Sequence, residues 1–149
     1  IACASGGSGE GVTAVDRLAG NPAFASFRYQ HAALIHDLAG QTDGATANYE
    51  LALSAGGTTS VRLIQAYASH LVRTGNRDMA AQLYREMLRD APESTTLRRT
   101  LARIEAGDDL PRTVPDYRAG IAEALYSVAG LLLRDQVLGA ALFYGRLAL

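Results

Sequence analysis

The sequence predicts an all-α fold built as a solenoid of antiparallel helical hairpins. Two stretches share a glycine, an alanine, a tyrosine and a leucine at the same spacing, 35 residues apart: Gly40, Ala45, Tyr49 and Leu53, then Gly75, Ala80, Tyr84 and Leu88. Around these positions, apolar residues recur at the three- and four-residue steps of a helix. Periods of about 20 to 50 residues are typical of solenoids, in which each unit buries its apolar face against its neighbours. We therefore expect a scaffold with a groove.

The helices follow from this period and from the turn residues between them. We expect a truncated preceding repeat (1–22), a first unit (23–57), a second unit (58–92), an additional helix (93–106), a proline-containing linker (107–116) and a truncated, atypical third unit (117–149). Apolar spacing predicts helices over 23–39, 43–55, 61–74, 78–90, 93–106, 117–134 and from 137 onward. The linker contains two prolines and no apolar period, which favours an extended segment.

Specific residues justify the boundaries in order. Asn21-Pro22 provides an N-cap and a first helical residue. Gly40 and Gly75 supply the left-handed residue that closes the first helix of each unit. Ser60 is the expected N-cap of the second unit. Pro92 ends that unit, because proline disfavours a helical conformation in the residue before it.

Small residues are expected where paired helices come closest, because packed axes lie about 8–10 Å apart. Ala45 and Ala80 occupy those points, and Tyr49 or Tyr84 fills the wider gap beyond. We expect Ala80→Arg to cost more than about 3 kcal/mol, because overpacking and a buried charge add together. A melting temperature within about one degree of the parent would contradict the hairpin.

Composition excludes several function classes. The 149 residues are 48% apolar and 19% charged, as in an ordinary single domain. All 14 basic residues are arginine, and 15 acids leave a net charge of −1, so bulk charge does not favour a nucleic-acid partner. The arginine-rich stretch 73–103 has acidic residues at hand and fits a solvated helix face better than a phosphate-binding footprint. Cys3 is the only cysteine, which excludes an internal disulfide and a thiolate metal cluster.

The chain ends, the composition and the least charged stretch predict the kind of protein from which this chain comes and whether it crosses a membrane. The chain opens at Ile1 and ends inside an apolar helical pattern, so we expect a section of a longer repeat array. Its arginine-only, alanine-rich composition favours a bacterial source, and both cytoplasm and periplasm stay open. Residues 119–133 form an apolar stripe shorter than the about 20 residues that span a bilayer, so we expect a buried helix and no membrane span.

Residues 40–53 and 75–92 resemble the turn and second helix of tetratricopeptide repeats. They match the family pattern of a glycine before the turn, an alanine five residues on, an aromatic four after that, and a small-then-leucine pair before a closing proline. The departures are Gly57 in place of the proline in the first unit, Met87 in place of the small residue in the second, and Gly145 in place of the aromatic in the last.

The resemblance implies a right-handed superhelix whose concave face, lined by the first helices, holds a peptide or a partner protein. The implied peptide-binding positions are Gln30, Leu34, Asp37, Arg62, Gln65, Ser69, Arg73, Tyr126 and Arg134. Three further positions, Phe27, Glu123 and Gly130, are implied to face the same groove. Gln65 and Ser69 stand where family members that grip a terminal carboxylate have lysine and asparagine, so that clamp is not expected.

Arg62 and Arg73 are the charged candidates within this set. They either bind an acidic peptide by charge-assisted hydrogen bonds or are solvated or paired with nearby acids. If they are contacts, exchanging both for glutamate is expected to abolish partner capture and to leave helicity intact.

No pattern in the sequence indicates an enzyme, so we expect no catalytic residue and no cofactor. His31 and His36 lie five residues apart, on different sides of a helix, so no metal site is expected. The favoured function is a protein–protein interaction scaffold. Three alternatives stay open: a structural spacer or self-association segment, a regulatory domain of a larger enzyme, and a helical enzyme in its own right. The linker is a candidate for docking onto the scaffold itself, and exposed repeat ends are candidates for a homodimer interface.

Overall fold

The computed structural model describes residues 8–17, 24–55 and 60–149. All regular secondary structure in these ranges is helical, which confirms the predicted all-α class. The helices are α1 (Ser8–Asp16), α2 (Ala25–Leu38), α3 (Thr42–Ser54), α4 (Val61–Arg73), α5 (Arg77–Asp90), α6 (Thr95–Glu105), α7 (Tyr117–Arg134) and α8 (Leu138–Leu147). None of these eight helices is long and apolar enough to cross a membrane.

Helices α2 and α3 form one hairpin, and α4 and α5 form a second of the same design. Ala45 and Ala80 are completely buried, and Tyr49 and Tyr84 are 0% and 3% exposed. The ring of Tyr49 stacks on that of Tyr67 in α4, with centroids 5.1 Å apart. Equivalent residues of the 35-residue repeat are therefore buried alike, and the tyrosine of the first hairpin fills the gap to the second.

The boundaries of these hairpins show the local chemistry that the sequence predicts. Gly40 and Gly75 have φ of 72° and 89°, in the left-handed region that favours glycine. Ser60 caps α4, because its hydroxyl accepts a hydrogen bond from the Leu63 amide at 3.0 Å. The predicted boundary at Asn21-Pro22 lies outside the described residues.

Helices α2 to α6 form a continuous stack, in which α3 packs on α4 and α5 packs on α6. One hydrophobic core runs through the stack. Two side chains of the linker, Leu110 and Val114, belong to this core. The linker therefore returns to the stack after α6.

The hairpin of α7 and α8 folds back onto α2. A Cβ atom added at Gly120 in α7 would lie 3.8 Å from Leu38 Cδ1 of α2 and 3.6 Å from Val114 Cγ1 of the linker. Further along α7, the carboxylate of Glu123 accepts hydrogen bonds from Arg62 of α4. Helix α7 therefore lies over the first helices of both hairpins.

The prediction that the apolar stripe of residues 119–133 is buried is wrong. Glu123 is the one residue of α7 that is fully buried, and Ile121 and Leu133 are 48% and 58% exposed. The physical reason is that α7 contacts α2 on one side and α8 on another, and its remaining surface faces solvent. Helix α8 is similar, with Ala141 as its one fully buried residue.

Candidate functional site

Helices α2 and α4 place six of the predicted peptide-binding residues on one surface, here named the inner groove. These residues are Gln30, Leu34 and Asp37 on α2 and Arg62, Ser69 and Arg73 on α4. Gln30, Leu34 and Ser69 are buried, at 7%, 5% and 3% exposure. Ser69 contacts the linker, and Leu34 lines a cleft between α2 and α7.

An ionic cluster around Asp37 joins α2 to α4 inside the groove. One carboxylate oxygen of Asp37 accepts from Arg73 at 2.5 Å, and the other lies 3.1 Å from Nδ1 of His70. Nε2 of His70 is 2.9 Å from the Thr46 hydroxyl of α3. Burial alone would raise the pKa of Asp37, but hydrogen bonds from His70 and Arg73 outweigh it and hold the pKa below its ordinary value. The cluster is internally satisfied and favours a charged carboxylate.

Arg62 binds α7 to α4 through a bidentate ion pair. Its Nε donates to both carboxylate oxygens of Glu123, at 2.7 and 2.8 Å, and Nη2 donates to one of them as well. Glu123 is 4% exposed. The Arg62 guanidinium also lies over the ring of Tyr126, 5.0 Å from its centroid. The hydrogen bonds to Glu123 raise the pKa of Arg62.

The linker contacts the other end of the inner groove. The Ser69 hydroxyl donates to the carbonyl oxygen of Pro111 at 2.7 Å. Arg112 donates from Nη1 to the main-chain carbonyl of Asp37 at 2.8 Å. These contacts show the linker docked on the scaffold, which the sequence analysis left as one possibility.

The structure brings together some of the predicted binding residues and separates others. Asp37, Ser69 and Arg73 form one hydrogen-bonded group, and Arg62 lies over the ring of Tyr126. Gln65 lies apart, in a cleft between α4, α5 and α6. Arg134 is exposed at the far end of α7.

Both candidate arginines are paired with acids of the same chain, which changes what their reversal would measure. A glutamate at position 62 would face the buried carboxylate of Glu123, and one at position 73 would face Asp37. Like charges at such distances repel, so the double reversal would weaken the docking of α7 as well as any partner contact. A test of binding therefore needs other positions.

An open groove of about 650 Å³ lies between α7 and α8. Its small residues, which allow close approach, are Ala119, Ala122, Ala129, Gly130, Ala141, Gly145 and Ala148. Its larger apolar residues are Tyr126, Leu133, Leu138, Leu142 and Leu149, and Arg62 and Glu123 also contribute to its lining. Leu138 and Leu142 are 59% and 68% exposed. This open groove is apolar and is accessible to another molecule.

A short apolar cleft between α2 and α7 contains the buried ring of His31. Among the described residues its Nε2 atom has no hydrogen-bond partner. Burial lowers the pKa of the ring to about 4, although the nearby charge of Glu123 opposes the shift. Within the described ranges, no group of three or more His, Cys, Asp and Glu side chains is placed to hold a metal ion. His31 is therefore held neutral at the contact between α2 and α7.

Comparison with known families decides how this architecture is classified. Residues 61–104 match the family model of the tetratricopeptide repeat. This segment is a tetratricopeptide repeat. The match spans α4, α5 and nearly all of α6. No curated protein and no solved structure matches the chain.

The tetratricopeptide repeat gives this protein the general role of a protein–protein interaction module. Within the matched segment, α4 supplies Arg62, Gln65, Ser69 and Arg73, which the resemblance assigns to the concave face. In this structure, Arg62, Ser69 and Arg73 contact residues of the same chain. The surface accessible to a partner is therefore different from the surface that the repeat pattern alone indicates.

Sequence reasoning missed most of the open groove. Of its lining residues, the groove-facing positions implied by the resemblance contained Arg62, Glu123, Tyr126 and Gly130. Exposed leucines in α8 have the same spacing as buried ones, so apolar period alone does not distinguish a groove from a core. The available signal was the run of small residues in α7 and α8, at helical steps that permit close approach.

Proposed function

We propose that this protein is a non-catalytic scaffold that binds an amphipathic helix of a partner protein in the open groove. The observation that carries the proposal is the contrast between the two grooves. The inner groove contacts the linker and α7, whereas the open groove presents large apolar side chains to solvent. Burying such side chains against a partner is favourable by about 25 cal/mol per Å² of apolar surface.

The shape of the groove favours a helix as the bound segment. Alanine and glycine line it along both α7 and α8, and small residues let a third helix approach to the about 8–10 Å typical of packed helices. Leu138 and Leu142 are one helical turn apart on α8 and stand at the groove. A helix that presents apolar residues at three- and four-residue steps would match them.

The charges near the groove favour an apolar ligand over an acidic one. Arg62 is the basic residue that lines it, and the edge of its guanidinium formed by Nε and Nη2 is bonded to Glu123. An acidic peptide would have to compete with a buried carboxylate for this arginine. We therefore expect apolar contacts to dominate affinity, with a weak dependence on salt.

The absence of a catalytic role is also part of the proposal. The ionisable side chains that lie close together in the inner groove, Asp37, His70 and Arg73, are hydrogen-bonded to one another. Glu123 is bonded to Arg62 in the same way. Such satisfied pairs support a structural role, in which the charges hold helices together.

Two glycines of the α7–α8 hairpin allow a matched test. Gly130 lines the open groove and Gly139 does not, and a Cβ atom at either would have nothing within 4 Å. Helical peptides selected from a library for binding to the parent chain would be measured against Gly130→Leu and Gly139→Leu. We expect Gly130→Leu to weaken binding more than about tenfold, because its side chain fills the groove, and Gly139→Leu to leave binding unchanged. Equal affinity for both variants would contradict the proposal.

A second candidate function is self-association, because α7 and α8 expose apolar residues that another copy of the chain could cover. The exposed side chains include Leu138, Leu142, Phe143 and Leu147. Light scattering after size exclusion tests this function. A dimer that Leu142→Asp converts to a monomer would favour it, and a monomeric parent would favour the scaffold.

A further inference from the structure

The linker lies in an extended conformation and inserts two side chains into the scaffold. Residues 108–112 have no helical or turn structure, and bends follow at 113 and 114. Leu110 and Val114, four residues apart, are 7% and 4% exposed and belong to the hydrophobic core of the stack. These two side chains therefore act as anchors.

Between and before the anchors, scaffold side chains bind the main chain of the linker. Three linker carbonyls accept hydrogen bonds from three different helices: Asp108 from Arg77 at 2.6 Å, Asp109 from Arg103 at 3.0 Å, and Pro111 from Ser69 at 2.7 Å. Bonds to carbonyl oxygens do not depend on which side chain the bound residue carries. They fix the path of an extended chain, and the anchor pockets select its sequence.

Polar side chains of the linker add further selection. The carboxylate of Asp109 accepts from Arg77 at 2.8 Å, and Arg112 donates to the main-chain carbonyl of Asp37 at 2.8 Å. The side chain of Asp109 is 86% exposed, so this end of the segment lies at the surface. The acid and the basic residue of the linker are therefore hydrogen-bonded to the scaffold, and its leucine and valine are buried in the core.

We propose that residues 108–114 occupy a binding site for extended peptides, and that a partner segment of the pattern acidic-Leu-Pro-Arg-x-Val binds there in exchange for them. The site is formed by side chains of α4, α5 and α6 and by the main-chain carbonyl of Asp37 in α2, and it is separate from the open groove. The linker is then a ligand supplied within the chain. It protects the inner groove until a partner with the same pattern replaces it.

Because the linker already occupies the site, an incoming peptide should bind more weakly than it would to an empty site. A ligand tethered by a short linker has an effective concentration of about millimolar, so a free peptide must compete with it. Releasing the linker should therefore strengthen the binding of the free peptide. The parent chain should bind the same peptide more weakly.

A direct binding experiment uses a fluorescent peptide with the sequence of residues 107–116 and measures its polarisation. The chains compared are the parent and the double variant Leu110→Asn, Val114→Asn, which loses both anchors. We expect binding to the variant to be at least tenfold tighter than binding to the parent. A control peptide carrying the same two asparagines should bind neither. Equal affinity for both chains, or no binding to the variant, would overturn the proposal.

A second experiment leaves the anchor nearly unchanged and covers the case in which the double variant does not fold. In the variant Cys3→Ser, Val114→Cys, the new thiol is buried and should react slowly with a thiol reagent. Saturating peptide should accelerate the reaction several-fold by expelling the linker, and the control peptide should not. An unchanged rate would overturn exchange. A dimer of the parent that the peptide dissociates would show that the segment comes from a second copy, and would overturn exchange within one chain.

Discussion

Similar residues are buried in the stack of α2 to α6 but exposed in the hairpin of α7 and α8. In the stack, Ala45, Ala80, Tyr49 and Tyr84 are all buried against neighbouring helices. In the hairpin, Tyr126 is 55% exposed and most leucines face solvent. Helical period places residues on one face of a helix, but only a neighbouring helix buries that face. The difference separates a region that the chain completes by itself from one that is suited to a partner.

The largest expected effect is on the stack. Ala80→Arg should lower the free energy of unfolding by more than about 3 kcal/mol, because a completely buried alanine has no space for the side chain or for its charge. Urea denaturation followed by circular dichroism measures this change. A shift below about 1 kcal/mol would mean that the hairpin seam is looser than the structure shows.

The contact between the two regions should be sensitive to pH through His31. Burial lowers the pKa of its ring from 6.5 to about 4, so the unfolded chain takes up this proton at higher pH than the folded chain does. The free energy of unfolding is therefore highest above pH 6.5. It falls by about 3 kcal/mol in total as the pH drops towards 4.

Urea denaturation at several pH values between 7 and 4 tests this slope. His31→Gln should flatten it, and His36→Gln, on the same helix, is the matched control. A slope that survives His31→Gln would assign the pH dependence to other groups.

The ion pair between the regions should respond asymmetrically to the loss of either partner. Arg62→Ala leaves the carboxylate of Glu123, 4% exposed, without its partner and should cost about 2 kcal/mol. Glu123→Ala leaves an arginine whose side chain is 46% exposed, which water can solvate, and should cost less than about 1 kcal/mol. Equal costs in denaturant unfolding would indicate that Glu123 is solvated and that α7 is not docked.

The smallest effect is expected in the open groove. Gly130→Leu should change the free energy of unfolding by less than about 1 kcal/mol, and towards higher stability, because leucine favours a helix and its Cβ meets open space. Thermal unfolding measures the change. A marked loss of stability would show that other residues of the chain already fill the groove. The hairpin would then be buried by the chain itself, as the stack is.

Local chemistry made the stack predictable from sequence. The repeated glycine, alanine and tyrosine fixed the turn, the close approach and the filled gap of each hairpin, and Ser60 fixed the start of α4. All of these depend on residues within a few positions of one another. The predicted helices over 43–55, 61–74 and 78–90 accordingly differ from α3, α4 and α5 by only one residue at any end.

The fold-back of α7 was not predictable in this way. Arg62 and Glu123 are 61 residues apart, and the sequence around each residue does not indicate that they pair. Leu110 and Val114 lie in a segment without apolar period, so their burial depends on pockets made by other helices. The sequence therefore assigned the predicted binding residues to particular helices, but their contacts with the linker and α7 required the structure.

The most direct test of the account is whether α7 lies over α2. In a Cys3→Ser background, cysteines at Leu38 and Gly120 should be joined within one chain by a short bifunctional thiol reagent, because a Cβ at position 120 lies 3.8 Å from Leu38 Cδ1. Leu38→Cys with Phe143→Cys, on exposed α8, is the control pair. We expect rapid intramolecular crosslinking for the first pair and little for the second. Crosslinks that form equally in both pairs, or only between two chains, would contradict the docking of α7 in the inner groove.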